Sequence, residues 1–290
     1  MSWRIVQISE RAKLDLRLGY LTVRGETVNK IHISEISILI IENTAVSITA
    51  ALLAELVKKK VKVIFCDEKR NPLFETSPYY GSHDTSRKVR SQISWSRDIK
   101  ESVWTRIVEQ KIFNQMRHLE SRNLKESEML EGYLSEIEHN DSTNREGHSA
   151  KVYFNALFGK DFSRERESPL NAALNYGYGV ILSAVNRHIT ASGYLTQLGI
   201  CHDNIYNMFN FGSDLMEPLR PLVDKTVYDL KPENFGKEEK VAVLSILNSE
   251  CYIDGKKHFL NNAISLYCRS VFDSLDNEDI SYLRFIEYEL

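Results

Sequence analysis

Two carboxylates three residues apart, Asp214 and Glu217, lie in Gly212-Ser213-Asp214-Leu215-Met216-Glu217-Pro218-Leu219-Arg220-Pro221, where a helix is expected to begin. Residues at that spacing share one face of a helix, so the two acids can converge on a single point. His202 lies just upstream, across an aromatic and asparagine-rich stretch from Asp203 to Phe211 that has neither a helical nor a strand period. A carboxylate pair with an imidazole suits a divalent cation, and that combination suits phosphodiester chemistry. The same spacing also fits a plain helix cap that serves only the free amides of the first turn. Pro218 and Pro221 imply that the helix starts late or bends here, which would gather carboxylates and free amides at one exposed point.

A further acid, Glu146, stands in Thr143-Asn144-Arg145-Glu146-Gly147-His148-Ser149-Ala150. Thr143-x-x-Glu146 has the spacing of a capping box, in which the glutamate closes a helix start. Gly147, Ser149 and Ala150 are small and leave room for a bulky ligand, so capping and metal ligation are both open to Glu146. His202 is open to two readings as well, a neutral core histidine or a ligand. Together, two glutamates and a histidine match a hard-to-borderline divalent site. Oxygen ligands favour Mg2+ or Mn2+, and the imidazole tilts the choice towards Mn2+. Zinc is disfavoured. Cys201 adjoins His202, but Cys66, Cys201, Cys251 and Cys268 form no CxxC pair. Nor is there a GxGxxG, a P-loop, a GxSxG elbow or an HExxH.

The elements that must position these residues fall into two periodicities. Up to about residue 76, short β-branched runs alternate with polar residues: Arg4 to Ile8, Leu14 to Leu18, Tyr20 to Val23, Ile31 to Ile33, Ile36 to Ile41 and Val61 to Cys66. These predict half-buried antiparallel strands, interrupted by one helix over Ser47 to Lys60. Thr76 to Asp84 carries turn and breaker residues; its His83-Asp84 pair lacks further partners. From Arg87 onward the period is helical. Ile93, Trp95, Ile99, Val103, Trp104, Ile107, Val108 and Ile112 predict one long helix. Further helices are expected over Glu126–Glu138, Thr143–Phe158, Pro169–Tyr194, Asp214–Leu230, Lys237–Ser249 and Lys256–Leu275, with Asp273–Leu290 a peripheral helix or tail. The expectation is an α+β chain: a β-rich domain at 1–76, a linker at 77–86 and an α-helical catalytic domain at 87–290.

No apolar run approaches the length of a membrane span, so a cytoplasmic protein is expected. A net charge of −3 argues against a surface that coats nucleic acid throughout. DNA contact, if made, must use local basic groups: Arg87, Lys88 and Arg90, then Arg97, Lys100, Arg106 and Lys111, with Arg220 beside the acidic pair.

Several long motifs are also familiar as words. Asn144-Arg145-Glu146-Gly147-His148-Ser149-Ala150-Lys151-Val152-Tyr153-Phe154-Asn155-Ala156-Leu157-Phe158-Gly159, Thr196-Gln197-Leu198-Gly199-Ile200-Cys201-His202 and Phe209 to Pro221 resemble the signature segments of the CRISPR-associated spacer-integration endonuclease family. Asp67-Glu68-Lys69-Arg70 and Pro78-Tyr79-Tyr80 make the phrasing closest to the type II-A branch. The resemblance implies a β-rich N-terminal domain that dimerises, and a helical domain whose Glu146, His202 and Glu217 hold Mg2+ or Mn2+, with Asp214 in support. It implies that two homodimers flank a dimer of a small partner subunit. That complex inserts short foreign DNA into a double-stranded repeat array by attack of a 3′-hydroxyl on a phosphodiester. An effector nuclease and a ring-shaped DNA-end-binding protein are further type II-A partners it implies. Arg145 and Arg220 are the residues near enough in sequence to neutralise phosphate. Two rival readings stand beside it, a hydrolase of small phosphate esters and a non-catalytic DNA-binding assembly subunit.

Overall fold

The structure is a computed structural model and describes residues 4–68, 70, 72–79 and 82–290. Lys69 of the expected family motif, and Tyr80 and Gly81 of the expected linker, lie outside the described residues. The chain divides into two compact units, Met1–Ser86 with Asn186–Tyr194, and Arg87–Val185 with Leu195–Leu290. The expected domain at 87–290 did not separate Asn186–Tyr194 from its flanks.

In the first unit β1 (Arg4–Ile8), β5 (Ile36–Ile41), β7 (Lys62–Cys66) and β8 (Pro72–Glu75) form one sheet in the order β1-β5-β7-β8. Its first three strands run parallel, which corrects the antiparallel expectation. The reason is visible in β5: every residue of Ile36–Ile41 is buried, the mark of a central parallel strand covered on both faces. A second sheet has the order β4-β3-β2-β6, from β2 (Lys13–Arg17), β3 (Tyr20–Arg24), β4 (Val28–His32) and β6 (Ser47–Ile48). Here the β2–β3 and β3–β4 pairs are antiparallel. Leu18 and Gly19 join β2 to β3 with φ of 48° and 81°, a two-residue turn with both central residues left-handed. Leu18 therefore points out at 97% exposure, although sequence alternation counted it with the core. Helix α1 (Ala50–Lys58) is capped by Thr49, whose hydroxyl accepts from Leu52 N, and sets Leu52 and Leu56 into the core of this unit.

The second unit is helical, built round α3 (Arg97–Ser121). The apolar stripe expected on one long helix is split: α2 (Thr85–Ser94) stops before Trp95, and Ser96 Oγ caps α3 by accepting from Ile99 N at 3.3 Å. Helices α4 (Ser127–Ser135), α5 (Arg145–Phe158) and α6 (Pro169–Ala191) follow, α6 belonging to this unit as far as Val185. The single helix expected over Asp214–Leu230 is three pieces. These are α7 (Asn210–Met216), a 3-10 turn at Glu217–Leu219 and α8 (Arg220–Leu230), with Pro218 and Pro221 each just inside a helical start. After α9 (Lys237–Leu244) comes a hairpin of β9 (Glu250–Ile253) and β10 (Lys256–Phe259), then α10 (Leu260–Asn277). The hairpin replaces the first turn of the helix expected at Lys256. Its Asp254-Gly255 turn, with φ of 51° and 68°, is the commonest hairpin chemistry. The C-terminal tail is not peripheral. Ile286 and Tyr288 are buried, and Tyr252 pairs with Glu287.

Candidate metal centre

Glu146 reaches the site from the first turn of α5. The capping box expected from Thr143 does not form, and the cap is made by other groups. The Asp141 carboxylate accepts from Arg145 N at 2.7 Å and Glu146 N at 3.1 Å, while Asn144 Oδ1 accepts from Gly147 N at 3.3 Å. Asn140, Asp141 and Asn144 all take left-handed φ, which asparagine and aspartate tolerate best. Relieved of capping, the Glu146 carboxylate accepts from Lys111 Nζ at 2.5 Å.

Glu217 comes from the 3-10 turn, where its side chain is 3% exposed. It is no cap either. Its Oε2 accepts from Lys111 Nζ at 2.5 Å, and its Oε1 accepts from Arg220 Nε at 2.7 Å. Burial alone would raise the Glu217 carboxyl, but Arg220 and Lys111 outweigh it and bring it down to about 2. Burial alone would likewise lower the Lys111 ammonium, and the carboxylates of Glu217 and Glu146 overturn that and raise it. A lysine expected to meet DNA is instead the cation joining the two glutamates. Desolvation penalises an isolated charge, and the opposite charges at contact distance compensate.

His202 sits on the loop between α6 and α7, and Asp214 organises that loop. Asp214 is fully buried, with no cap role. Its Oδ2 accepts from Ile200 N at 2.7 Å and Cys201 N at 3.3 Å; its Oδ1 accepts from His202 N at 2.9 Å. The same Oδ1 lies 2.6 Å from His202 Nδ1. A carboxylate has no hydrogen to give, so Nδ1 donates and Nε2 is left as the ring's free lone pair when the imidazole is neutral. Asp214 raises the His202 pKa through this bond, with Glu217 and Glu146 adding to it. The chain can wrap this tightly because residue 199 is glycine. A Cβ there would meet His202 O at 2.3 Å and Asp214 Oδ2 at 2.6 Å. Asn210 pins the outer loop, its Nδ2 donating to Gln197 O and Asn204 O. Trp104 of α3 holds the imidazole edge-on at 5.7 Å.

Among the described residues, no group of three His, Cys, Asp or Glu side chains is arranged to hold a metal ion. The chemistry of Glu146, Glu217 and His202 as donors nonetheless suits one. Two carboxylates already share a bound cation, the Lys111 ammonium. The third donor, His202 Nε2, is oriented by a carboxylate behind the ring, the usual support of a metal-bound histidine.

Residues 6–246 match the family model for CRISPR associated protein Cas1. The chain belongs to the Cas1 family. It is 37% identical over 242 residues to the CRISPR-associated endonuclease Cas1 of Neisseria meningitidis serogroup C (strain 8013), covering 82% of this chain and 79% of that protein. Among solved structures, a casposase bound to an integration product superposes with a TM-score of 0.79 at 19% identity, over 100% of this chain and 95% of that one. A chain of a Cas6-RT-Cas1–Cas2 complex gives a TM-score of 0.74 at 16% identity, over 97% of this chain; this chain spans only 36% of that one. The mixed β-then-helical Cas1 fold is thus the one found here.

Of the basic residues expected to face DNA, Lys88 pairs with Asp276 at 2.8 Å, Arg145 with Glu136 at 2.8 Å and Arg220 with Glu217. Arg87 and Arg90 are exposed on α2. Sequence reasoning missed the polar stripe Lys111, Asn114, Gln115 and His118 on the buried side of α3, although its i, i+3, i+4, i+7 spacing was there to be read. It also missed Asp224 of α8, which accepts from Tyr178 Oη beneath the Arg220–Tyr178 contact. Burial pushes the Asp224 carboxyl up to about 7. No helix among the described residues is long and apolar enough to cross a membrane.

Proposed function

We propose that this Cas1-family chain is a metal-dependent nuclease and integrase that joins the 3′-hydroxyl of short foreign DNA to a phosphodiester at a repeat boundary. One observation carries the reading: Glu146 and Glu217 share a cation and act electrostatically on His202, whose Nδ1 is held by a buried carboxylate. Family membership and the fold shared with a casposase bound to an integration product support it. Glu146, Glu217 and His202 Nε2 would hold Mg2+ or Mn2+, and when bound the ion would polarise the phosphodiester and stabilise negative charge on its oxygens. Asp214 fixes the imidazole so that Nε2 faces away from it. Arg220 and Lys111 together keep Glu217 ionised against the effect of its burial.

Transfer from one phosphodiester to another conserves bond number: the incoming 3′-hydroxyl gives up its proton as its oxygen bonds to phosphorus, and the repeat strand's own 3′-oxygen leaves and takes up a proton. Assembly with a small partner subunit, as in Cas1–Cas2 complexes, belongs to the same proposal. So does dimerisation through the first unit, where β8 is an edge strand with Leu73 and Phe74 exposed. The test is a branched DNA that mimics a half-integrated product, incubated with Mg2+, Mn2+ or EDTA. Strand joining or release that needs the metal and is lost in a folded His202→Ala variant is expected. Undiminished activity in that variant would make His202 structural and redraw the site.

A further inference from the structure

We propose that Lys111 is a built-in counter-cation that holds the divalent position in the metal-free protein and must be displaced before metal can bind; this rests on the metal reading above. Lys111 Nζ lies 2.5 Å from both Glu146 Oε1 and Glu217 Oε2. Among the described residues it is the one group that bonds both carboxylates, and at 7% side-chain exposure it makes those contacts out of bulk water. Arg220 cannot substitute for it. Its bond is to Glu217 Oε1 and not to the Oε2 that Lys111 holds, and its guanidinium also lies 4.7 Å from the Tyr178 ring centroid. The two cations on Glu217 thus have different tasks. Arg220 is anchored on two sides and stays, whereas Lys111 ends a flexible four-carbon stem and occupies the oxygens a ligand would take.

Without Lys111, Glu146 and Glu217 would face each other as like charges, one of them buried, and the start of α5 would be pushed from the 3-10 turn. The lysine therefore keeps the carboxylates gathered and ionised while no metal is present. The consequence is competition. If the ammonium holds the carboxylates nine-tenths of the time, the apparent metal affinity is about tenfold weaker than the site's own.

The experiment is calorimetric titration of Mn2+ alone into the full chain, as wild type, Lys111→Met and Arg220→Gln, with folding checked by circular dichroism. Lys111→Met is expected to tighten Mn2+ binding by about tenfold. It is also expected to lower the metal-free melting temperature, with saturating Mn2+ restoring it. Arg220→Gln removes an equal charge from the far oxygen and is expected to change affinity less. Equal tightening in both variants would mean a general charge effect and would overturn the proposal, as would unchanged or weaker binding in Lys111→Met. Wild type that takes up no Mn2+ would instead overturn the metal reading itself. Should Lys111→Met fail to fold, the 15N signal of the Lys111 ammonium in lysine-labelled wild type decides. It is expected to shift and lose its protection from exchange when Mg2+ saturates the site; an unmoved signal in metal-bound protein would overturn the proposal.

Discussion

Replacing Asp214 by asparagine keeps the side chain's shape and removes the charge that four donors share. In the wild type, Oδ2 serves Ile200 N and Cys201 N, and Oδ1 serves His202 N and His202 Nδ1. An asparagine can turn its amide nitrogen to either side. Turned towards Ile200 and Cys201, it orphans two backbone donors. Turned towards His202, it orphans one, and the imidazole must switch tautomer so that Nδ1 accepts. The second arrangement loses less, about 1–3 kcal/mol for the stranded amide. Loss of charge assistance on the remaining bonds brings the total to about 2–4 kcal/mol. It also moves the ring hydrogen to Nε2, the nitrogen proposed to ligate metal. Urea denaturation measures the first effect, and 15N chemical shifts of the His202 ring measure the second. A loss of stability under about 0.5 kcal/mol, with the hydrogen still on Nδ1, would refute the account of Asp214 as organiser of this loop.

Gly199→Ala should push the loop off Asp214, because the added methyl meets His202 O and Asp214 Oδ2 inside contact distance. A destabilisation of about 1–3 kcal/mol is expected in the same urea assay. At the start of α5, Asp141→Ala should lower stability by about 1–2 kcal/mol while Thr143→Ala leaves it within about 0.5 kcal/mol. The reverse order in thermal melts would restore the capping box. Asp224 supplies a pH test. Its folded pKa, raised to about 7 from 3.8, means that the fold favours the protonated acid. That contribution is complete below pH 3.8 and is lost as pH rises through about 7. His118 has the opposite sense: burial lowers it to about 4 from 6.5, so its contribution is complete above pH 6.5 and is lost as pH falls through about 4. Asp224→Asn removes the first and leaves the second. The stability of Asp224→Asn relative to wild type should therefore climb between pH 5 and pH 8 in paired denaturation curves, and a flat difference would exclude the raised pKa.

Asp214 and Glu217 could be singled out among 40 acidic residues because their spacing near a helix start is a local signal. The partners of the site residues could not. Thr143-x-x-Glu146 reads as a capping box, but Asp141, five residues before Glu146, reaches the same amides once Asn140 and Asp141 turn left-handed. Asn140 and Asp141 permit that turn, but nothing in their types says which amides the Asp141 carboxylate will meet. Lys111 reads as one more surface cation because its neighbours at 107, 108 and 112 carry the apolar pattern. Its burial depends on Glu146, 35 residues away, and on Glu217, 106 residues away. The parallel sheet was hidden for a related reason. Short β-branched runs fit either direction, and only the unbroken burial of Ile36–Ile41 decides for a central parallel strand. Local chemistry is written locally, whereas charge compensation is written across the fold.

The same logic explains why the end of the chain belongs to the site. Pro221 has no N–H, so the 3-10 turn that carries Glu217 cannot close an i+3 bond onto the carbonyl of Pro218. Side chains supply the missing donors. Asn114 Nδ2 donates to Pro218 O at 2.9 Å from α3, and Tyr288 Oη donates to it at 2.5 Å from the buried tail. Asn114 lies one turn from Lys111 along α3, so a single helix face holds both the carboxylate of Glu217 and the backbone just after it. The prolines that make this segment a poor helix thereby fix it. They replace bonds within the turn by bonds to two distant elements, and the backbone that carries the Glu217 carboxylate is anchored by both.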